Sequence, residues 1–218
     1  MPKRPRPEAA TPFTSPPCAP SKTIVSSSPA RIPLKNRPTR ERILRAGVHL
    51  FQAKGYHATG INEILERAKA PKGSFYHHFP GGKEALAIAA IQWIEAETTA
   101  FLDKNAEDSA AAMVMGLARY AAQGVRHAET MRGSLLAVLA QDTVPELPAV
   151  KAALRAYSHA VLDRLIAARM REGFEQAEAR SFAALSLALL QGAPMLARIE
   201  GGATQMEQLI AQWLARQP

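Results

Sequence analysis

Ten of the 16 prolines in this 218-residue chain fall within its first 38 positions, and the long stretches after them carry few. Proline has no backbone N–H and breaks a helix interior, so this distribution divides the chain into a part that cannot form long helices and a part that can. The first 38 residues, rich in proline, serine and threonine, cannot bury enough apolar surface to offset chain entropy and read as a disordered arm. The remainder belongs to a chain that is 47% hydrophobic, much of it alanine and leucine, which points to an all-α globular protein. Its length suits one large domain or two small ones. No uninterrupted run of 18 apolar residues exists, and the basic N-terminus is followed by proline and serine rather than the apolar core of a signal peptide. Cys18 is the only cysteine, which rules out an intrachain disulfide framework and makes a reducing compartment, the cytoplasm, the expectation.

The net charge of +8 is unevenly distributed. Residues 1–38 carry seven Lys/Arg against Glu8, a balance of +6. Residues 39–83 carry eight against Glu41, Glu63 and Glu66, a balance of +5, and residues 84–218 sum to −3. Positive charge thus belongs to the first third, and a polyanion such as nucleic acid is the partner this implies. The arm has two readings, sampling of a DNA backbone through Arg4, Arg6, Arg31 and Arg37, or a solvated extension without a role, and composition favours the second.

Order is predicted from Pro38-Thr39 onward. Thr39 is a candidate N-cap, Glu41 suits the first turn, Ile43, Gly47, Leu50 and Phe51 share a face, and Gly55 closes the helix. Thr59 is placed to cap a short second helix with the stripe Ile61, Ile64, Leu65 and Ala68, which ends by Ala70 because Pro71 follows. Pro71 suits the first turn of a third helix, in which Phe75 and Phe79 point inward and Pro80-Gly81-Gly82 ends the run. Two short helices joined by a tight turn form a helix-turn-helix with its reading helix second. Gly73 and Ser74 are poor helix formers, but at the leading end of a reading helix they let the backbone approach a major groove, while Ser74 and Lys72 offer polar atoms to bases or phosphates.

From "RERILRAGVHLFQAKGYHATGINEIL" through "APKGSFYHHFPGGKEAL" the chain resembles the DNA-binding region of the tetracycline-repressor (TetR) family of bacterial transcriptional regulators, over roughly residues 39–90. The "HFPGGKEAL" ending is similar to the branch that includes the lincomycin-resistance repressor, and the part from "MRGSLLAVLAQD" onward is only generally similar. The resemblance implies that Lys72, Gly73, Ser74 and His77 contact bases or nearby backbone, that Tyr76 contacts a phosphate, that Lys83 meets another at the start of the next helix, and that Thr59 and Asn62 touch the DNA backbone. One position departs from the family: Lys69 stands in the turn where glycine is usual. If the position is left-handed, a lysine there costs roughly 1 kcal/mol.

His77 and His78 invite a metal reading, but neighbours on a helix diverge by about 100° and no cysteine or carboxylate cluster completes a shell, so neither metal nor cofactor is expected. His77 is expected to face DNA and His78 to pack against the first helix. Tyr76 has a core alternative, although Phe75 and Phe79 already take the inward positions.

Beyond residue 83 six further helices are predicted, at 83–104, 109–127, 130–141, 148–171, 175–199 and 204–216, making nine. The segment "FAALSLALLQGAPMLARI" is apolar on more than one face, as a buried or partner-covered helix must be, and Pro194 is expected to kink or break it. The resemblance implies a homodimer held by a four-helix interface of the last two long helices. Trp93, Phe101, Met113, Met115, Tyr120, Met131, Tyr157, Phe182 and Met195 supply soft and aromatic surface for an apolar effector pocket or for ordinary core, and Arg119, Gln123, His127 and His159 are candidates to orient a ligand. The resulting expectation is a ligand-responsive DNA-binding regulator, a repressor released from a near-palindromic operator by a small apolar or aromatic effector. The alternatives are a helical metal-dependent or hydrolytic enzyme, for which no nucleophile–base or ligand spacing is found, and an effector-independent DNA-binding protein, for which a large acidic helical part is superfluous.

Overall fold

The computed structural model describes residues 37–126, 133–200 and 202–217, and among these it contains nine α-helices and no strand. The proline-rich arm up to residue 36, Cys18 and Met131 lie outside the described residues.

The first helix, α1 (Thr39–Lys54), buries Ile43, Leu44, Ala46, Leu50 and Phe51. A glycine interrupts that face for a packing reason: a Cβ at Gly47 would fall 2.6 Å from Leu86 Cδ2. Leu86 belongs to α4 (Gly82–Lys104), so the glycine sets how closely α1 and α4 cross. Between them stand α2 (Ile61–Ala68) and the five-residue α3 (Ser74–His78). Ile64, Leu65, Phe75 and Phe79 close the small core against α1.

The other helices are α5 (Ala110–Arg126), α6 (Leu135–Thr143), α7 (Pro148–Arg171), α8 (Gln176–Glu200) and α9 (Ala203–Leu214). The most extensive packing is of α4 on α7, α7 on α8, α5 on α9 and α8 on α9, while α6 touches α1, α4, α7 and α8. Leu102, Leu139, Val161, Leu165 and Ile210 are fully buried at the centre of these helices. The spans Gly82–Lys104 and Gln176–Ile199 are long and apolar enough to match a membrane span by length and composition, yet both contribute residues to this core.

Several boundaries differ from the sequence expectation. Thr39 is the first residue of α1 rather than its cap, with Pro38 before it. The cap position of α2 belongs to Gly60, because the buried Thr59 hydroxyl donates backward to the Gly55 carbonyl at 2.6 Å. Pro71 opens a tight turn rather than α3 itself: the Ser74 N–H and hydroxyl both donate to the Pro71 carbonyl, at 3.0 and 2.7 Å, and regular helix begins only at Ser74. Helix α6 begins at Leu135, with the Ser134 hydroxyl accepting from the Ala137 N–H, later than the residue-130 start expected. Helix α8 continues through Pro194 without a break.

Candidate nucleic-acid interface

The turn between α2 and α3 is set by Lys69, at φ 50° and ψ 45°, the only described non-glycine residue with positive φ. The Lys69 N–H donates to Glu66 O and the Ala70 N–H to Leu65 O, both at 3.0 Å, the paired bonds of a Schellman stop that glycine usually occupies. Of the two possibilities the sequence left open, a turn built differently or a left-handed lysine, the second is present.

Beyond that turn α3 divides inside from outside. Phe75 and Phe79 are buried with ring centroids 5.8 Å apart. Tyr76 is 60% exposed, and Lys72, Gly73, His77 and Asn62 are exposed with it. Ser74 is half-buried, its hydroxyl proton held by Pro71 and its lone pairs open to a donor. The His77 and His78 rings meet edge to face at 4.9 Å, closer than their helical divergence suggested, with His78 half-buried. Among the described residues no group of three His, Cys, Asp or Glu side chains could hold a metal ion.

Two of the expected phosphate contacts are turned inward. Thr59 is 1% exposed and spends its hydroxyl on Gly55. Lys83 donates to the carbonyls of Tyr56 at 2.8 Å, Thr59 at 3.1 Å and His57 at 3.5 Å, with its ammonium 4.4 Å from the Tyr56 ring centroid. Burial pushes the Lys83 ammonium below the ordinary lysine value. It pins the start of α4 to the 55–59 loop instead of reaching outward.

The same loop is also held from α6, by a residue that the sequence did not single out. Gly55, at φ +86°, turns the chain out of α1, and the Asp142 carboxylate of α6 accepts from the Tyr56 N–H at 2.7 Å. The positive φ favours glycine at this position, and a Cβ there would also lie 2.5 Å from Asp142 Oδ2 and push the carboxylate aside. The His57 ring donates through Nε2 to the Asp142 carbonyl at 2.7 Å, with Glu146 3.9 Å away. Some 86 residues separate Tyr56 from Asp142, and no local pattern signals the pairing.

The candidate effector residues occupy separate surroundings. Trp93 is half-buried under the Arg45 guanidinium at 5.1 Å. Tyr120 is 56% exposed, its hydroxyl raised by burial and by Glu97, with Arg45 opposing. Phe101 seats its ring on Gly116, and Met113 is buried. Tyr157 is buried between α4 and α8; burial raises its hydroxyl, and the neighbouring Thr98 and Gln191 side chains oppose the shift. Gln191 also accepts from the Ser134 hydroxyl at the start of α6. Phe182 stacks on Trp213 at 5.3 Å with the Arg169 guanidinium 4.7 Å from its centroid. Met115 is half-buried, whereas Met195, Arg119 and His159 are exposed. His127 and the Gln123 side chain lie outside the described residues.

A second surface lies on α8. Its inner face buries Phe182, Ala183, Ser186, Leu190, Ala193 and Ala197, while Leu185, Met195, Leu196 and Ile199 are 41–70% exposed on another. Leu185, Ala188, Gly192, Met195 and Ile199 recur every three or four residues, as on a helix made to meet another helix.

Comparison with known proteins places these features. The family model described as "Bacterial regulatory proteins, tetR family" matches residues 43–90, and that for the "Transcriptional regulator LmrA/YxaF-like, C-terminal domain" matches 109–212. The HTH-type transcriptional regulator YxaF of Bacillus subtilis (strain 168) is 32% identical over 164 residues, 72% of this chain and 84% of that protein. The HTH-type transcriptional regulator LmrA of the same organism is 58% identical over 53 residues, 24% of this chain and 28% of that one. Among solved structures, a TetR transcriptional regulator from Legionella pneumophila aligns with a TM-score of 0.72 at 23% identity, over 81% of this chain and 97% of that one, a likeness of fold.

Proposed function

The chain belongs to the tetR family of bacterial regulatory proteins, and from that premise we propose that it is a cytoplasmic repressor that binds a near-palindromic operator as a homodimer and leaves it when a small apolar or aromatic effector binds. Residues 39–83 read DNA, and residues 84–218 sense and dimerise.

The observation that carries the reading is the exposed leading end of α3. Its aromatic anchors Phe75 and Phe79 are buried, whereas Lys72, Gly73, Tyr76 and His77 face outward. A Cβ at Gly73 would meet nothing within 4 Å and its φ of −76° suits any residue, so the fold does not require glycine there. Close approach by another molecule does. Lys72 and His77 address base edges, Ser74 and Gly73 the adjacent backbone, and Tyr76 and Asn62 the phosphates. With Thr59 and Lys83 turned inward, the phosphate contacts fall to this smaller set.

Helix α4 supports a switch because it is fixed at both ends, by Lys83 on the 55–59 loop and by Arg164 of α7, which donates to both Asp103 carboxylate oxygens at 2.6 and 3.0 Å. An effector bound against α4, which carries Trp93 and Phe101, tilts that helix and displaces both reading helices. A coupling of about 1–3 kcal/mol lowers operator affinity about 5–150-fold, and operator DNA weakens effector binding by the same factor. Calorimetric titration of each member of an apolar and aromatic panel into free and operator-bound protein tests this. An inducer binds the free protein more tightly, and equal affinities for every binder found would remove the ligand-operated switch.

A further inference from the structure

The 55–59 loop, which carries α2 and with it the reading helix, is gripped by two helices. Lys83 of α4 donates to its carbonyls, and Asp142 of α6 accepts from its Tyr56 N–H. The second grip joins two helix ends. Asp142 stands in the last turn of α6, where carbonyls lack partners within the helix, and His57 supplies one of those donors. Tyr56 follows the Gly55 that ends α1, and its N–H finds the carboxylate, a charge-assisted bond at 2.7 Å. At its other end α6 is tied twice more: Gln52 of α1 donates to the Gly133 carbonyl at 3.3 Å, and Ser134 donates to Gln191 of α8, which neighbours the buried Tyr157.

We propose that Asp142 is a positioning residue for DNA binding, locking the C-terminal end of α6 to the 55–59 loop so that α6, and not α4 alone, passes displacements between the Tyr157–Gln191–Ser134 cluster and the reading helix. The inference rests on the reading of the chain as a DNA-binding regulator. Because Lys83 of α4 and Asp142 of α6 hold the same loop, the orientation of α3 follows the offset between α4 and α6, to which a tilt of α4 contributes. Gly55 keeps the grip tight, since any larger residue would displace the carboxylate. The lock is built at the edge of the packed core, with the His57 side chain 57% exposed, so it can be opened without unfolding what it connects.

Reciprocity allows a test without the effector, because operator binding must be felt in α6. Hydrogen exchange is followed by mass spectrometry in the full chain, alone and on a duplex that the wild type has enriched from a random pool, for wild type, Asp142→Ala, Asp142→Asn and His57→Ala. In wild type, operator DNA changes exchange at least twofold both in the 55–59 loop and in α6. In Asp142→Ala the loop still responds and the α6 response disappears, whereas Asp142→Asn, whose amide oxygen accepts the same N–H, retains at least half of it. A merely structural role would raise exchange throughout with the DNA response intact. His57→Ala removes only an exposed ring, so its reduced α6 response decides the matter should Asp142→Ala fail to fold. An α6 that ignores operator in wild type, or responds as strongly in Asp142→Ala or in a His57→Ala variant that alone folds, overturns the inference. Failure of wild type to enrich any sequence would remove the DNA-binding reading beneath it.

Discussion

Replacing Lys69 with glycine should make this protein more stable, and the size of the gain can be worked from the turn itself. The residue sits at φ 50° and ψ 45° in the Schellman stop of α2, its side chain exposed. A residue with a Cβ pays about 1–2 kcal/mol in that conformation. Glycine avoids this but loses about 0.5–1 kcal/mol more in backbone entropy on folding. The net gain is about 0.5–1 kcal/mol, which for a domain of this size raises Tm by about 1–4 °C. Lys69→Gln is the control: it keeps the Cβ and removes the charge, so it separates backbone strain from relief of repulsion among Arg67, Lys69 and Lys72. Thermal unfolding by circular dichroism should place Lys69→Gly above both wild type and Lys69→Gln. A Lys69→Gly variant no more stable than Lys69→Gln would refute the strain argument.

Lys83→Met should lower Tm by about 2–10 °C, since stranding carbonyl partners costs about 1–3 kcal/mol, and gel-shift titrations should show weaker operator binding with an unchanged salt slope; a slope lower by about one unit would mean that the ammonium leaves the loop for a phosphate. Ile199→Arg on the exposed face of α8, where the native side chain is 70% exposed, should give a folded monomer by light scattering, with operator affinity lost along with the second half-site contact. Glu41 is held below its ordinary value of 4.5 chiefly by hydrogen bonding to Arg45, then Arg37, and Asp103 below 3.8 by Arg164. Depressed carboxylates stabilise the fold above their unfolded values and lose that contribution as pH falls through the folded ones. Urea unfolding should therefore show a steeper loss of stability below about pH 4.5 in wild type than in Glu41→Gln, Asp103→Asn.

The parts of this fold that were legible in the sequence are those governed by local chemistry. Gly55 ends α1, Pro148 opens α7, and the Phe75/Phe79 pair faces inward, as spacing and backbone preference require. The two apolar faces of α8 were legible for the same reason. Where a side chain goes once several partners compete was not. A lysine at the start of a helix beside a basic segment reads the same whether it meets a phosphate or three carbonyls, and only the folded 55–59 loop offers Lys83 the latter. Thr59 looked like a cap, but the left-handed Gly55 brings a carbonyl within its reach. Asp142 gave no signal, because its role depends on the meeting of two helix ends far apart in sequence. The effector candidates were chosen by residue type, and type does not tell a core aromatic such as Phe182, stacked on Trp213, from one lining a pocket.

The central claim is that two copies of α3 read two related half-sites, and binding-site selection tests it most directly. Wild-type protein and Lys72→Ala are each taken through rounds of selection on a random duplex pool, and the bound duplexes are sequenced. The account predicts that wild type enriches an inverted repeat whose half-site centres lie about 34 Å, or about 10 base pairs, apart. It further predicts that Lys72→Ala relaxes preference at one position of each half-site by about 1–3 kcal/mol while keeping the spacing. Enrichment of an asymmetric site, of no site at all, or of the same site with equal preference by both proteins would contradict it.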